Sequence, residues 1–376
     1  MSQPNISNQI HTPSTSDGWH GTISPDADPG SDSNPPSVGI YPPAPGRYHL
    51  YIGLFCPFAH RVNFIRHLKG LTEIIDISVV MPYPKGDENG WPGWRFLKSS
   101  SGSDGKEGEG ESGGGEEYPD ATVDRLFGED YLHKVYFRDD PGYKGRYSVP
   151  VLWDRETGGI VCNESLELLR WLPTAFNSIL PPEKARIDTY PPHLRPQIDS
   201  ISRWILPHLC TGVYKAGFAN TQDEYDKNVI LVFGALNKLE KIVHANGGPF
   251  ILGSELTELD ILVYVTLIRF DPVYVQHFKC NLGTIRHDYP VLDNWLRGIY
   301  WGVEAARGST NFKHIKENYT KSHYDINPKA ITPLGPWPDI EEGFERDWSK
   351  LRVGGVRHPE VVAFEIMGLD EEKGVF

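Results

Sequence analysis

A strand that runs into a cysteine and a proline opens the foldable part of this 376-residue chain. Tyr48-His-Leu-Tyr-Ile-Gly-Leu-Phe55 has strand composition, Cys56 and Pro57 follow, and a segment carrying Val62, Ile65 and Leu68 on one side runs to Gly70. Proline at the first helical position gives up no hydrogen bond and glycine is a common helix stop, so a helix is predicted from Pro57 to Gly70. Ile74 to Val80 reads as a second strand, which makes a β-α-β unit with a thiol at its first joint.

Val149-Pro-Val-Leu-Trp153, a turn at Asp154 to Gly159 and Ile160-Val-Cys162 are predicted to form a β-hairpin. A helix over Glu164 to Trp171 follows, with Asn163 as its N-cap and Leu166, Leu169 and Leu172 on one face. The order β-α-β, insert, β-β-α is thioredoxin-like. From about residue 195 the pattern is helical throughout, with capping boxes at Thr221-Gln-Asp-Glu224 and Thr257-Glu-Leu-Asp260. The expected fold is therefore α/β plus all-α: a thioredoxin-like domain over 47–185, a helical domain over 190–335 and a tail over 336–376. A length two to three times that of a typical domain agrees with two domains.

Two segments stand outside this scheme. Residues 1–46, with nine Pro, eight Ser and no hydrophobic period, read as an extended arm lying on the body or on a partner. Residues 99–117 hold no apolar side chain and read as a solvated loop inserted in the first domain. The Gly108-Glu-Gly110-Glu-Ser-Gly113 run within it matches G-x-G-x-x-G, but no strand precedes it and its glutamates would repel a pyrophosphate, so nucleotide binding is not expected.

The formal charge of -13 resides mostly in these segments, since 1–46 hold four Asp and no Lys or Arg while 99–117 hold six acidic residues and one Lys. A nearly neutral body lacks the cationic surface that nucleic acid requires. Cys56, Cys162, Cys210 and Cys280 are too sparse for a disulfide framework, and the first residues lack the basic-then-apolar order of a secretory signal. The longest apolar stretch, Ile261 to Ile268, is too short for a membrane span. A soluble, cytoplasmic protein is expected, with no partnership with membrane. No Cys/His set has zinc spacing, so no metal is expected.

Cys56 carries the chemistry. A thiol at a helix N-terminus meets unpaired N–H groups and the positive end of the helix dipole, which favour the thiolate. Helix N-termini can lower a thiol pKa from ~8.5 toward ~4 to 7, so such a thiol should be acidic and nucleophilic. Ala59 stands where a C-x-x-C oxidoreductase carries its second thiol, so an outside thiol must resolve Cys56. Glutathione is the obvious candidate. The other three cysteines read as packing residues.

Cys56-Pro-Phe-Ala-His-Arg61, Gly93-Trp-Arg-Phe96, Gly145-Arg146, Val149-Pro-Val-Leu-Trp-Asp154, Asn163-Glu-Ser165, Val213-Tyr-Lys-Ala-Gly-Phe218, Leu267-Ile-Arg-Phe-Asp-Pro-Val-Tyr-Val275 with His277-Phe-Lys-Cys280, and Ile326-Asn-Pro328 occur in order. Between about Tyr48 and Pro338 the chain thereby resembles the Xi class of glutathione transferases, the glutathionyl-hydroquinone reductases. The resemblance implies that Trp94 packs on glutathione, that Arg146 and the Val149 backbone hold its cysteinyl part, and that Glu164 and Ser165 hold its γ-glutamyl end. It also implies an aromatic substrate site with Tyr214, Tyr274 and Tyr319, Tyr214 being the proton donor. Phe58 stands where the family more often has Trp, a change that bears on substrate range.

The activity so implied is reduction of S-glutathionyl-hydroquinones through a mixed disulfide on Cys56, by a homodimer, in a cleft between the two domains. An omega-like thioltransferase or dehydroascorbate reductase would use Cys56 without the tyrosines. A non-catalytic carrier of aromatic ligands would have no use for an acidic cysteine.

Overall fold

The computed structural model describes residues 18–27, 39–83, 85–86, 92–98 and 117–368. The expected insert lies outside them except for Glu117, as do 1–17 and 28–38 of the arm. The chain divides into two compact units, 1–187 with 308–331 and 188–307 with 332–376.

The first unit is built on a four-stranded sheet of β1 (Tyr48–Ile52), β2 (Asp76–Val79), β3 (Val151–Asp154) and β4 (Gly159–Cys162), in the order β2-β1-β3-β4. β1 and β2 are parallel, with Leu50 opposite Ile77, and β3 runs antiparallel to both β1 and β4. The parallel pair needs a crossover, and α1 (Pro57–Leu68) supplies it. Gly70, at φ 68, ends this turn in a left-handed conformation that glycine adopts without strain. Burial on α1 extends well beyond one face and takes in His60, Arg61, Asn63 and Arg66 along with Val62, Phe64 and Ile65. The Arg66 guanidinium is satisfied by the Ile75 and Thr72 carbonyls at 2.7 and 3.0 Å. The hairpin turn is held by buried Asp154, which accepts from Arg47 at 2.6 and 2.8 Å and from Thr157 at 2.9 Å. Alongside the sheet lie α2 (Leu132–Asp139) and α3 (Ser165–Ala175).

Three details depart from the sequence reading. The buried face of α3 is Leu168, Leu169 and Leu172, whereas Leu166 is 44% exposed. At about 100° per residue Leu166 points roughly 200° away from Leu168, on the solvent side. The N-cap of α3 is Glu164 rather than Asn163, whose side chain is committed to the arm. The helix Phe312–Ser322 belongs to the first unit and not to the helical one. It is fastened there by Asn318 to the Pro82 carbonyl at 2.6 Å, by Asn311 to Asp120 at 2.7 Å and by Glu317 to Tyr118.

The arm is docked wherever it is described. The Gly21 amide donates to the Val161 carbonyl at 2.8 Å, His20 bridges Cys162 in antiparallel sense, and Thr22–Ile23 pair with Ile40–Tyr41. These contacts cover the edge of β4, which would otherwise present unpaired backbone groups. A Cβ at Gly21 would lie 2.7 Å from the Val161 oxygen, so only glycine permits this approach.

The second unit is helical. Gln222–Asn246 begins at Thr221, whose side chain accepts from the Glu224 amide, while the Glu224 carboxylate reaches back to the Asn220 amide at 3.0 Å. Glu258–Leu267 begins with a reciprocal capping box between Thr257 and Asp260. Buried Asp260 also takes the Ile251 amide at 2.8 Å and the Trp295 indole at 3.1 Å, and burial raises its carboxyl to about 6. Buried Glu240 accepts the Val291 and Leu292 amides at 3.0 and 2.8 Å, at the start of the helix Pro290–Gly302. The tail contributes Pro359–Gly368, whose Phe364 ring occupies the space a side chain at Gly234 would need. Among the described residues no helix is long and apolar enough to cross a membrane.

Candidate active site

Cys56 is the residue before the first turn of α1, with φ -75 and ψ 123, and Pro57 follows at the first helical position. Its Sγ lies 3.5 Å from the Val149 carbonyl, and the Val149–Pro150 peptide bond is cis. Strand β1, helix α1 and the start of β3 thus converge on the sulfur. Cys56 keeps 9% of its surface, whereas Cys162 and Cys280 keep none. Burial pushes the Cys162 thiol up to about 12 and raises that of Cys280 as well, so neither is poised to ionise. The Cys210 sulfur is buried against the Leu262 carbonyl at 3.7 Å.

The four other expected glutathione residues, Trp94, Arg146, Glu164 and Ser165, all lie in the first unit. Trp94 is buried and stacks on Phe55, ring centroids 4.5 Å apart, next to the cysteine in sequence. Glu164 ends an extended segment, φ -92 and ψ 105, and Ser165 opens α3. The Glu164 side chain makes no capping bond to this 11-residue helix, whose first amides are the kind that receive a carboxylate. Arg146 follows Gly145 in the loop before β3, and burial lowers its guanidinium below the ordinary value. Phe58 is half-exposed, with the Arg61 guanidinium 4.9 Å from its ring centroid.

Sequence reasoning passed over Arg61 as a site residue. It is buried and donates to the Ser165 hydroxyl at 3.3 Å, tying α1 to the start of α3. Its place five residues after Cys56, facing inward on a buried helix, was the available signal. Phe55 reads in the sequence only as the end of a strand, whereas its ring stacks on Trp94.

In the second unit Tyr214 and Tyr274 come together, their hydroxyls 3.5 Å apart and their rings 5.9 Å apart. Each adjoins a π-helical turn: Leu206–Cys210 precedes the helix Gly212–Gly217, and Phe270–Tyr274 is itself the second. Such turns insert an extra residue that re-aims side chains, and they concentrate at functional sites. Phe278 stacks on Tyr274 with rings 3° from parallel, in the space left by Gly217, where a Cβ would lie 2.1 Å from the Phe278 ring. Tyr319, the third expected tyrosine, is buried on the helix Phe312–Ser322 of the first unit, edge-on to His323. Among the described residues no group of three or more His, Cys, Asp or Glu is arranged to hold a metal ion.

Residues 55–175 match the family described as glutathione S-transferase, N-terminal domain, and 222–298 match glutathione S-transferase, C-terminal domain. A Schizosaccharomyces pombe protein named glutathione S-transferase omega-like 2 is 45% identical over 307 residues, covering 81% of this chain and 90% of that one. The glutathionyl-hydroquinone reductase YqjG of Escherichia coli is 42% identical over 313 residues, covering 83% and 86%. Its glutathione-bound structure superposes with a TM-score of 0.73 at 40% identity, over 88% of this chain and 95% of that one. The crystal structure of the glutathione-S-transferase Xi from Phanerochaete chrysosporium gives a TM-score of 0.75 at 41% identity, over 88% and 99%. With the thiol at the head of α1, the cis Val149–Pro150 junction and a helical second unit, the chain belongs to the Xi class of the glutathione transferases.

Proposed function

We propose that this protein reduces S-glutathionyl-hydroquinones to hydroquinones at the expense of glutathione. The observation that carries the reading is the position of Cys56, before the first turn of α1 and against the Val149 carbonyl, as a residue less fully enclosed than Cys162 and Cys280. Relatives named for this activity at 42% and 40% identity support it.

The Cys56 thiolate attacks the glutathione sulfur of the substrate, forming a Cys56–glutathione disulfide and breaking the aryl carbon–sulfur bond. Tyr214 delivers a proton to the ring carbon that leaves, and the product is the hydroquinone. A second glutathione thiolate then attacks the glutathione sulfur of the mixed disulfide, releasing glutathione disulfide and the Cys56 thiolate. One substrate and one glutathione therefore yield one hydroquinone and one disulfide. Trp94, Arg146, the Val149 backbone, Glu164 and Ser165 bind the glutathionyl group. Charge-assisted bonds from Arg146, and from Glu164 to the ligand amine, would dominate its affinity. Tyr274, Tyr319 and Phe58 receive the aromatic ring. The protein works in the cytoplasm as a homodimer.

The name of the S. pombe relative favours a second reading, an omega-like thioltransferase, which needs Cys56 but no proton donor to carbon. Cys56→Ser tests what both share. A hydroxyl of similar size cannot ionise at neutral pH, so activity should fall to background while glutathione still binds. Residual turnover above a few per cent would remove Cys56 from its role.

A further inference from the structure

We infer that Trp19, in the arm that precedes the sheet, is a positioning residue for the glutathione site, holding the three backbone segments assigned to it. This inference rests on the assignment of Arg146, Val149, Glu164 and Ser165 to glutathione.

The first segment is Asn163–Ser165. The Trp19 amide donates to the Asn163 Oδ1 at 3.0 Å, and the Asn163 amide donates to the Trp19 carbonyl at 3.2 Å. This reciprocal pair fixes the turn from β4 into α3, on which Glu164 and Ser165 lie. Gly18 continues the grip: a Cβ there would lie 2.9 Å from the Asn163 Oδ1 and 3.1 Å from the Glu164 Oε1.

The second segment is Gly145–Arg146. The Trp19 ring packs at 4.9 Å on Tyr143, which in turn stacks at 5.2 Å on Tyr136. The Tyr143 hydroxyl donates to the Arg146 carbonyl at 3.3 Å, and a Cβ on Gly145 would fall 2.3 Å from that hydroxyl. The loop carrying Arg146 therefore rests directly on a ring whose place Trp19 sets.

Tyr136 reaches the third segment. Its hydroxyl donates to the Ser148 carbonyl at 2.8 Å, one residue before Val149, and accepts from the Asn163 Nδ2 at 3.4 Å. Trp19 meets the Tyr136 ring edge-on at 5.6 Å, and its own Nε1 donates to Asp139 at 2.5 Å. Asp139 also accepts the Ile160 amide at 3.0 Å, so the indole is anchored to β4. One half-buried residue thus braces both ends of the glutathionyl site, the turn at Asn163 through its backbone and the Arg146 and Val149 segments through its ring, while lying outside the residues assigned to bind it. Misplacing such segments by a fraction of an ångström weakens binding without altering the reacting sulfur.

The test compares full-length Trp19→Ala, Trp19→Phe and Gly18→Ala with the unaltered protein, using calorimetric binding of glutathione and steady-state rates. Trp19→Ala should raise the Kd and KM for glutathione about tenfold, with kcat at saturating glutathione within about twofold. Trp19→Phe keeps a ring on Tyr143 and Tyr136 and should retain most of the affinity. A merely structural tryptophan would lower the melting temperature without this split between KM and kcat. Trp19→Ala that folds and binds within twofold of the unaltered protein overturns the inference. If Trp19→Ala does not fold, Gly18→Ala decides: several-fold weaker binding sustains it, and unchanged binding overturns it. Glu164→Ala and Ser165→Ala separate the two layers. If neither weakens glutathione binding, the site assignment itself fails; if both do and Trp19→Ala does not, only the role of Trp19 falls.

Discussion

Replacing Tyr214 by phenylalanine removes one oxygen from a ring that is otherwise packed on all the contacts a phenylalanine keeps. Phe278 lies 5.2 Å and Phe218 6.5 Å from it, centroid to centroid. The bond to the Tyr274 hydroxyl is 3.5 Å long, at the outer edge of hydrogen-bond range, so losing that bond accounts for less than about 1 kcal/mol of stability. In a unit of this size that is a fall in Tm of less than about 4 °C. The catalytic loss should be far larger. Withdrawing a general acid costs roughly 10²-fold to 10⁴-fold, or about 3 to 5 kcal/mol, on the step that needs its proton. Only a glutathionyl-hydroquinone needs a proton delivered to carbon. A mixed disulfide of glutathione with a small thiol uses Cys56 and the glutathione site alone. Initial rates of Tyr214→Phe on the two substrates should therefore diverge by at least about 10²-fold, and Tyr274→Phe should move in the same direction by less. Equal losses on both would make Tyr214 a packing residue, and unchanged rates on both would favour the thioltransferase reading.

Lys69 is wholly buried, and its ammonium meets Asn177 Oδ1 and the carbonyls of Lys184, Ala185 and Ile187 between 2.5 and 3.3 Å. Lys69→Met removes the charged donor these acceptors share and should cost about 2 to 4 kcal/mol, read as a drop in Tm of roughly 5 to 15 °C; no drop would contradict the cage. His49 and His314 are each lowered from 6.5 to about 4, burial being the largest cause in both. The folded chain then binds fewer protons than the unfolded chain between those values, so stability should be full above about pH 6.5 and fall as pH drops toward 4. Urea titrations across that range should show a shallower fall in His314→Phe, and an unchanged slope would mean that His314 is not held neutral. Light scattering should report about twice the chain mass of 42.4 kDa, whereas a single species at 42.4 kDa would refute the dimer.

The joint that carries Cys56 was legible because strand composition, proline and Gly70 each act locally and agree. The capping boxes at Thr221 and Thr257 were legible for the same reason. A three-residue spacing groups Leu166 with Leu169 and Leu172, whereas the buried stripe follows Leu168, Leu169 and Leu172. Asn163 is a good N-cap by type, yet a tertiary partner, the Trp19 backbone, uses its side chain and passes the cap to Glu164. The pairing of Tyr214 with Tyr274 depends on two π-helical turns, which leave no periodic trace in sequence. In the arm, proline and serine obscured Trp19 and Ile23, an aromatic and a β-branched residue beside Gly18 and Gly21. The helix Phe312–Ser322 reads as one more helix of a helical run, and only side chains such as Asn318 and Glu317 assign it to the first unit.

The thiol step itself can be watched in a single turnover. Protein freed of glutathione and mixed with one equivalent of a glutathionyl-hydroquinone should release one hydroquinone and gain one glutathionyl group by intact mass, mapped to the peptide containing Cys56 and lost on adding glutathione. Hydroquinone released without that adduct, or an adduct on Cys162, Cys210 or Cys280, would contradict the account.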